Sequence, residues 1–324
     1  EAGIDGGGLF KEFLESFMKT AFDPASRFFT TTETHELIPS VPEVLSEECI
    51  EMARLKFYRF IGKMLAKAVY SEILLEPQFS PVFLNLLLGR TNSIDDMSYL
   101  DRQFYKSLMN IKQMILNGED VQMLGLHFQN SAGNELIKNG RDIPVTNANA
   151  LTYIYLLAKH KLNLSVAASK AFLSGFREII PVSWLRMFNP REMQSVLGGE
   201  LRPLDMEDLQ RNVAYAGGYH PSQPYIKMFW EVVAELTPQE QGDFLKFITS
   251  CSRQPLLGFD KLNPKIGIQE VPARYTEDGP DAAPRLPSAG TCFNLLKLPR
   301  YESKEVLKEK LKYAIKCNTG FELS

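Results

Sequence analysis

Apolar side chains recur at helical spacing through the first two-thirds of this 324-residue chain. A helix with an apolar residue at every third or fourth position must bury that face, so the pattern predicts a mainly helical fold for this part. With 44% hydrophobic residues the chain can build a large core, and its length suggests two or three lobes. The predicted helices include residues 9–18, 52–69, 163–176 and 190–196. The apolar positions of the first of these are Leu9, Phe10, Phe13, Leu14 and Phe17.

The pattern changes between Gly125 and Ile143. Alternating apolar and polar residues flank the polar turn Asn130-Ser131-Ala132-Gly133-Asn134 there, which is typical of a β-hairpin. We therefore expect a small strand-bearing subdomain at about residues 100–162, inserted among the helices.

A cluster of helix breakers, Gly198-Gly199-Glu200-Leu201-Arg202-Pro203, lies between two apolar segments. It predicts a hinge at residues 200–205, although an ordinary turn fits the same residues. The hinge would separate a first lobe, 1–199, from a second lobe, 206–324. In the second lobe we expect helices near 206–213, 222–236 and 303–317, with mixed strand and loop from the second of these to Arg285. The predicted fold class is therefore α+β.

Charge and cysteine usage exclude several classes of protein. The net charge of −3 gives no basic field for nucleic acid, and no apolar run approaches the roughly 18–20 residues of a membrane span. The four cysteines are far apart without a CxxC pair, so we expect no metal site and no disulfide framework. Reduced thiols favour a cytoplasmic location, with the nucleus as the alternative.

Cys292 lies in the segment Leu286-Pro287-Ser288-Ala289-Gly290-Thr291-Cys292-Phe293-Asn294, followed by an apolar run that Pro299 closes. Its small, uncharged neighbours leave the sulfur accessible, and an accessible thiol is what nucleophilic sulfur chemistry requires. The other three cysteines, Cys49, Cys251 and Cys317, are interpreted as packing residues, since free cysteine is commonly buried.

Several short sequence boxes follow one another along the chain. In order they are Ala2-Gly3-Ile4-Asp5-Gly6-Gly7-Gly8, Phe60-Ile61-Gly62-Lys63-Met64-Leu65-Ala66-Lys67-Ala68, Ile143-Pro144-Val145-Thr146-Asn147, Ala216-Gly217-Gly218-Tyr219, Phe229-Trp230, Thr249-Ser250-Cys251-Ser252-Arg253, the Thr-Cys-Phe-Asn box and the tail Gly320-Phe321-Glu322-Leu323-Ser324. Their order and spacing together resemble those of the HECT-type ubiquitin ligases. The run Pro255-Leu256-Leu257-Gly258-Phe259 and this tail are similar to those of the UPL-type ligases of plants and their animal relatives.

The resemblance implies a bilobal α+β module without a cofactor. Its first lobe would recruit a ubiquitin-conjugating enzyme, and its second lobe would accept ubiquitin as a glycyl thioester on Cys292. Attack by a lysine of a protein substrate would then form an isopeptide bond, in a reaction tied to the proteasome pathway. Ubiquitin, the conjugating enzyme and protein substrates are thus the expected partners.

The resemblance also assigns supporting roles in transfer to Thr291, Asn294, Phe321 and Glu12. Many relatives carry His at the position of Gly290, so assistance by a histidine at that place is absent from this sequence. The four histidines, His35, His127, His160 and His220, are all distant from Cys292 in sequence and are interpreted as structural.

For the conjugating enzyme, the resemblance implies an exposed apolar groove on the small subdomain. Relatives carry an aliphatic residue where Lys112 stands and an aromatic one in place of Leu157, so the preferred partner differs. For each groove residue a place in the core fits equally well. The implied groove residues are Leu108, Leu124, Leu126, Tyr153 and Leu157.

Two other classes remain open. A papain-like cysteine hydrolase would also use an exposed cysteine, but it needs a histidine and an orienting Asn or Asp. A non-catalytic interaction scaffold would need no cysteine at all.

Overall fold

The structure, a computed structural model, describes residues 8–41, 48–199, 203–273 and 284–320. The chain forms two compact units. The cysteine unit consists of Glu1–Met18, Ala68–Glu76 and Ser195–Ser324, and the helical unit of Lys19–Lys67 and Pro77–Gln194.

Helices dominate the described residues up to Gly198, and strands are concentrated after it. The α-helices are α1 (Gly8–Phe22), α2 (Glu48–Tyr70), α3 (Pro81–Leu87), α4 (Met97–Leu100), α5 (Arg102–Leu116), α6 (Ala150–Leu162), α7 (Val166–Phe176), α8 (Val182–Leu185), α9 (Pro190–Gly198), α10 (Met206–Arg211), α11 (Pro224–Ala234), α12 (Pro238–Thr249) and α13 (Lys304–Gly320). The strands are β1 (Phe29–Thr31), β2 (Leu37–Pro39), β3 (Ala214–Ala216), β4 (Gly267–Val271), β5 (Ser288–Gly290) and β6 (Leu295–Pro299). The predicted α+β class is confirmed. Within the described residues, none of these helices combines the length and the apolar character that a membrane crossing requires.

The core of the helical unit is a cluster of aromatic rings. Phe22, Phe29, Phe79, Phe83 and Phe172 lie with neighbouring ring centroids 5.1–6.4 Å apart, several of them edge to face. This arrangement sets the positive edge of one ring against the negative face of the next, which adds to the stabilisation from burial. The cluster ties the short antiparallel pair β1–β2 to the helices around it.

Two glycines allow α2 and α7 to approach closely within the helical unit. A Cβ added at Gly62 would lie 2.0 Å from the carbonyl oxygen of Phe172, and one added at Gly175 would lie 1.8 Å from that of Arg59. Real Cβ atoms do not approach an oxygen so closely. Hydrogen is therefore the largest side chain that either position accepts.

The predicted hairpin at 125–143 is wrong in detail. The described residues there form two isolated β-bridges, His127 with Pro144 and Gln129 with Glu135, rather than paired strands. The amide of Phe128 donates to the carbonyls of Gly140 and Ile143, so the backbone groups that a ladder needs are used by turns.

The cysteine unit is built on a four-stranded sheet of order β3-β4-β6-β5. β3, β4 and β6 are parallel, whereas β5 pairs antiparallel with β6. Buried residues of the sheet and of α11, α12 and α13 form one core, which includes Ile268, Leu296, Phe229, Phe244 and Leu311. This core fixes the β5–β6 connection, where Cys292 lies.

Helix α12 was missing from the predicted elements, although its start signal is visible in the sequence. The Thr237 side chain accepts from the amide of Glu240, the Glu240 carboxylate accepts from the amide of Thr237, and Pro238 occupies the first turn. This capping box is a strong start signal for a helix. The helix was not predicted because the residues after the capping box mix polar and apolar side chains without a clear apolar stripe.

The predicted hinge lies partly outside the described residues, because 200–202 are not among them. Gly199 is described, with φ of 74° directly after α9, and its amide donates to the carbonyl of Ser195. A glycine in this conformation is a common helix terminator. The lobe boundaries and the hinge stay predictions. By contacts, residues 1–18 and 68–76 group with 195–324 rather than with the rest of the predicted first lobe.

We expect Gly62→Ala and Gly175→Ala each to lower the free energy of unfolding by about 1–3 kcal/mol, because the added methyl group forces α2 and α7 apart. Thermal unfolding of the purified chain measures this. Gly290→Ala is the matched control, since its added Cβ meets no heavy atom within 4 Å and its φ is −111°. Equal unfolding midpoints for all three variants would contradict the close approach.

Candidate active site

Cys292 is displayed on a short turn between β5 and β6. Gly290 pairs with Leu295 across the antiparallel ladder, and Thr291–Phe293 form a single 3-10 turn between them. The chain closes this turn with Asn294 in the left-handed conformation, at φ of 50°. Asparagine tolerates this conformation better than most residues do. The turn leaves Cys292 partly exposed and the Phe293 ring 60% exposed.

Asn294 is fully buried, and its hydrogen bonds hold the turn in place. Its Nδ2 donates to the Pro264 carbonyl at 2.5 Å, and its carbonyl accepts from the Gly267 amide at 2.9 Å. Its own amide donates to Thr291 across the turn. These bonds satisfy the buried amide and give Asn294 a structural reason to be asparagine, in addition to the role in transfer that the sequence predicts.

Lys11 of α1 is bound to the same turn. Its Nζ donates to Asn294 Oδ1 at 2.7 Å, to the Thr291 carbonyl at 2.9 Å and to the Thr249 carbonyl at 3.3 Å. Glu15 lies 3.7 Å from the same ammonium. Burial lowers the pKa of Lys11 and raises that of Glu15.

Sequence reasoning missed Lys11, although a signal exists. Together with Leu14 and Met18 it forms the buried stripe of α1, at a spacing of three and four residues. Leu9 and Phe13, which the apolar pattern placed on the buried face, are exposed. A lysine within a buried apolar stripe is a cation for which the fold must provide hydrogen-bond acceptors.

Glu12 is brought next to Cys292. The sulfur lies 3.5 Å from Glu12 Oε2, and the thiol is the donor in this contact. Partial burial, followed by the hydrogen bond and the negative charge of Glu12, raises the pKa of the Cys292 thiol. At neutral pH the arrangement therefore holds the sulfur mainly in its protonated form.

Of the residues for which the sequence predicts a role in transfer, Thr291, Cys292, Asn294 and Glu12 are brought together, and Phe321 lies outside the described residues. Their roles remain predictions. A Cβ at Gly290 would meet open space, so this position has room for a larger side chain. Among the described residues, no group of three or more His, Cys, Asp or Glu side chains could hold a metal ion.

The remaining cysteines differ from one another. Cys251 is buried, and burial raises the pKa of its thiol to about 12, as the packing interpretation expects. Cys49 is exposed and Cys317 partly exposed, so the expectation of a packing role is wrong for Cys49. Among the histidines, the His160 ring contacts Asn130 and the His220 ring contacts Ser222, at 3.0 and 2.9 Å.

The structure divides the five residues of the implied groove between the core and the surface. Leu108, Tyr153 and Leu157 are buried, Leu126 is half-buried and Leu124 is 44% exposed. A buried side chain supports the fold beneath a partner-binding surface but cannot enter the partner. The resemblance assigned residues by position alone and did not distinguish the two faces of α6.

The exposed apolar residues of this region are different ones. Leu151 and Tyr155 lie one turn apart on the exposed face of α6 and are 58% and 57% exposed. Met123, in the turn Val121–Leu124 after α5, is 87% exposed. The helical stripe predicts this: Tyr153, Leu157 and their apolar neighbours form the core face, so Leu151 and Tyr155 fall outside it.

We expect Glu12→Gln to make Cys292 react about two- to five-fold faster with iodoacetamide at pH 7, because removal of the neighbouring negative charge lowers the pKa of the thiol. Mass spectrometry of the peptide that carries Cys292, followed over time and over pH, measures this. Glu207→Gln, an exposed carboxylate on α10, is the control. An unchanged or slower reaction would contradict the electrostatic effect of Glu12.

Comparisons with known proteins extend over the whole chain. The sequence model of the HECT-domain (ubiquitin-transferase) family matches residues 15–324. E3 ubiquitin-protein ligase UPL6 of Arabidopsis thaliana is 41% identical, and the match covers 100% of this chain and 31% of UPL6. Human ubiquitin-protein ligase E3B is also 41% identical, with 100% of this chain and 32% of that protein covered. E3 ubiquitin-protein ligase HUL5 of Saccharomyces cerevisiae is 37% identical, with 100% and 35% covered.

The chain thus spans about a third of the length of these relatives. The family model covers almost all of the chain, and the resemblance read from its sequence boxes is confirmed. The chain belongs to the HECT-domain (ubiquitin-transferase) family.

Proposed function

We propose that this chain is the catalytic part of a HECT-type E3 ubiquitin-protein ligase and that Cys292 is its nucleophile. The observation that carries the proposal is the displayed turn, which holds one partly exposed thiol beside a carboxylate in a chain that matches this family throughout. A papain-like hydrolase would need a histidine at the thiol, whereas the side chain in contact with Cys292 Sγ is Glu12.

In the first step, the Cys292 thiolate attacks the carbonyl carbon of the thioester that joins ubiquitin to its conjugating enzyme. The new C–S bond forms as the old one breaks, and the thiolate of the conjugating enzyme leaves. The proton of the Cys292 thiol must depart before the attack. Glu12 is the acceptor nearest to it, and the carboxyl group passes this proton to solvent before the second step. Because one thioester replaces another, the step needs no metal or cofactor.

In the second step, the amine of a substrate lysine attacks the thioester on Cys292. A lysine arrives as an ammonium ion, so it must lose a proton to become a nucleophile. The Glu12 carboxylate is well placed to take it, since it already lies 3.5 Å from the sulfur. The isopeptide bond forms, the C–S bond breaks and the Cys292 thiolate is released to take up a proton. Thr291 and Asn294 hold the turn in place during both steps, and the sequence also predicts that Phe321 assists the second.

For the conjugating enzyme, we propose the exposed apolar residues of the region around α5 and α6. Met123, Leu124, Leu151 and Tyr155 offer the aliphatic and aromatic anchors that transient interfaces use. The buried residues Tyr153 and Leu157 support this surface from within. We further propose a cytoplasmic location, with the nucleus as the alternative, from the reduced cysteines that the sequence predicts.

We expect Cys292→Ala to abolish formation of a ubiquitin adduct that a reducing agent cleaves, while leaving the thermal unfolding midpoint within about 2 °C, since the sulfur is partly exposed and its loss creates little cavity. Incubation with a ubiquitin-loaded conjugating enzyme and non-reducing gel analysis measure the adduct. Cys49→Ala, at another exposed cysteine, is the control. A reductant-sensitive adduct on Cys292→Ala would remove Cys292 from the mechanism.

We expect Leu124→Asp and Tyr155→Asp each to raise, about five- to ten-fold, the concentration of loaded conjugating enzyme that gives half-maximal thioester formation. The maximal rate should stay the same, because these residues contribute to docking and not to chemistry. Single-turnover kinetics over a range of enzyme concentrations separate the two. Leu164→Asp is the matched control, since Leu164 is 46% exposed and Leu124 is 44% exposed. The same effect in all three variants would disprove docking at this surface.

A further inference from the structure

We propose that Lys11 is a positioning residue for the reaction at Cys292: its ammonium holds the turn 291–294 in the shape that presents the sulfur. This inference rests on the proposed function, and it assigns to α1 a task beyond helix packing. The three acceptors of Lys11 come from two places, the turn itself and the end of α12.

The contacts of Lys11 flank the nucleophile on both sides. One acceptor is the carbonyl of Thr291, the residue before Cys292, and another is Oδ1 of Asn294, the residue that closes the turn. Fixing both ends of a four-residue turn leaves the peptide groups around Cys292 little freedom. A nucleophile held in one geometry reacts faster, because a displacement of about 1 Å can cost a large part of the rate.

The third acceptor fixes the position of the Lys11 ammonium itself. The Thr249 carbonyl belongs to the last residue of α12, where the helix dipole is negative and carbonyls lack helical partners. The positive charge therefore lies where the field of α12 favours it. The three N–H groups of the ammonium match the three carbonyl-type oxygens, so all of its donors are used.

Packing alone does not account for a lysine at this position. The residue is 8% exposed, and burying a cation costs free energy that an apolar side chain of the same size would not cost. The neighbouring Leu14 and Met18 show that the stripe otherwise accepts apolar residues. The cation contributes what methionine cannot, namely directed donors to the turn.

The position of Lys11 in the helix also sets the place of Glu12. The two residues are adjacent on α1, and one binds the turn while the other contacts Cys292 Sγ. Holding the turn against α1 therefore also holds the sulfur at the distance from the carboxylate that the proposed proton transfers need.

The test compares Lys11→Met with the parent 324-residue chain by hydrogen–deuterium exchange. Methionine keeps most of the unbranched apolar stem of lysine but removes the donors and the positive charge. We expect about ten-fold faster exchange of the amides of Asn294 and Gly267, whose bonds close and anchor the turn, without a change in the buried amides of α11 and α13. Lys227→Met, at an exposed lysine of α11, should match the parent.

The second measurement is single-turnover thioester formation. Lys11→Met should lower the maximal rate constant about ten-fold and leave the half-saturating concentration of loaded conjugating enzyme unchanged. Asn294→Gly keeps the left-handed conformation and removes the side-chain acceptor. The rate loss of the double variant should be smaller than the product of the two single losses, because both substitutions break the bond between Lys11 Nζ and Asn294 Oδ1.

Faster amide exchange throughout the cysteine unit, or unchanged exchange of the turn amides, would overturn the inference. A rate loss in the double variant equal to the product of the two single losses would also overturn it. If Lys11→Met does not fold, the comparison of Asn294→Gly with Asn294→Asp decides. Both variants lose the Nδ2 bond to Pro264, but aspartate keeps an oxygen that accepts from Lys11, so it should exchange more slowly at the turn and react faster than the glycine variant.

The hydrogen–deuterium exchange measurement requires no ubiquitin, so it tests the turn independently of the proposed activity. If Lys11→Met loosens the turn but the parent chain forms no thioester, the proposed function is refuted. The inference that Lys11 holds the turn would still stand.

Discussion

A single buried amide, that of Asn294, determines the shape of the turn that carries Cys292. Its backbone takes the left-handed conformation that closes the turn, and its side chain bonds to Pro264 on one side and to Lys11 on the other. In an interior of low dielectric such bonds are strong, and leaving any of these groups unpaired would be costly. Through these bonds Asn294 joins the turn to α1, and Lys11 extends the connection to the end of α12.

Local patterns in the sequence predicted much of the fold. The Thr-Cys-Phe-Asn box indicated an accessible thiol, and apolar periodicity located most of the long helices of the chain. Where local patterns failed, tertiary contacts were the cause. The turn signal at Asn130–Asn134 is genuine, but the backbone of Phe128 bonds to distant turns, so strands do not form beside it.

The candidate site was less predictable, because its parts are far apart in the chain. Lys11 and Glu12 meet residues about 280 positions away, and no spacing rule connects such distant residues. Glu12 was identified through family resemblance alone. Lys11 could have been recognised as a cation within the stripe of Leu14 and Met18, but its acceptors could not have been named. On α6, position in the family pattern indicated Tyr153 and Leu157, whereas helical geometry places them inside and Leu151 and Tyr155 outside.

The contact between Cys292 and Glu12 has a further consequence for the lifetime of the protein. Oxidation of cysteine to sulfenic acid proceeds through the thiolate, and susceptibility follows thiolate character and exposure. A carboxylate that keeps the sulfur protonated therefore slows its reaction with peroxide as well as with any stray electrophile. Cys292 is partly exposed, yet its neighbour Glu12 lowers the reactivity of its thiol. The same negative charge that raises the pKa of the thiol thus protects an exposed cysteine from oxidation.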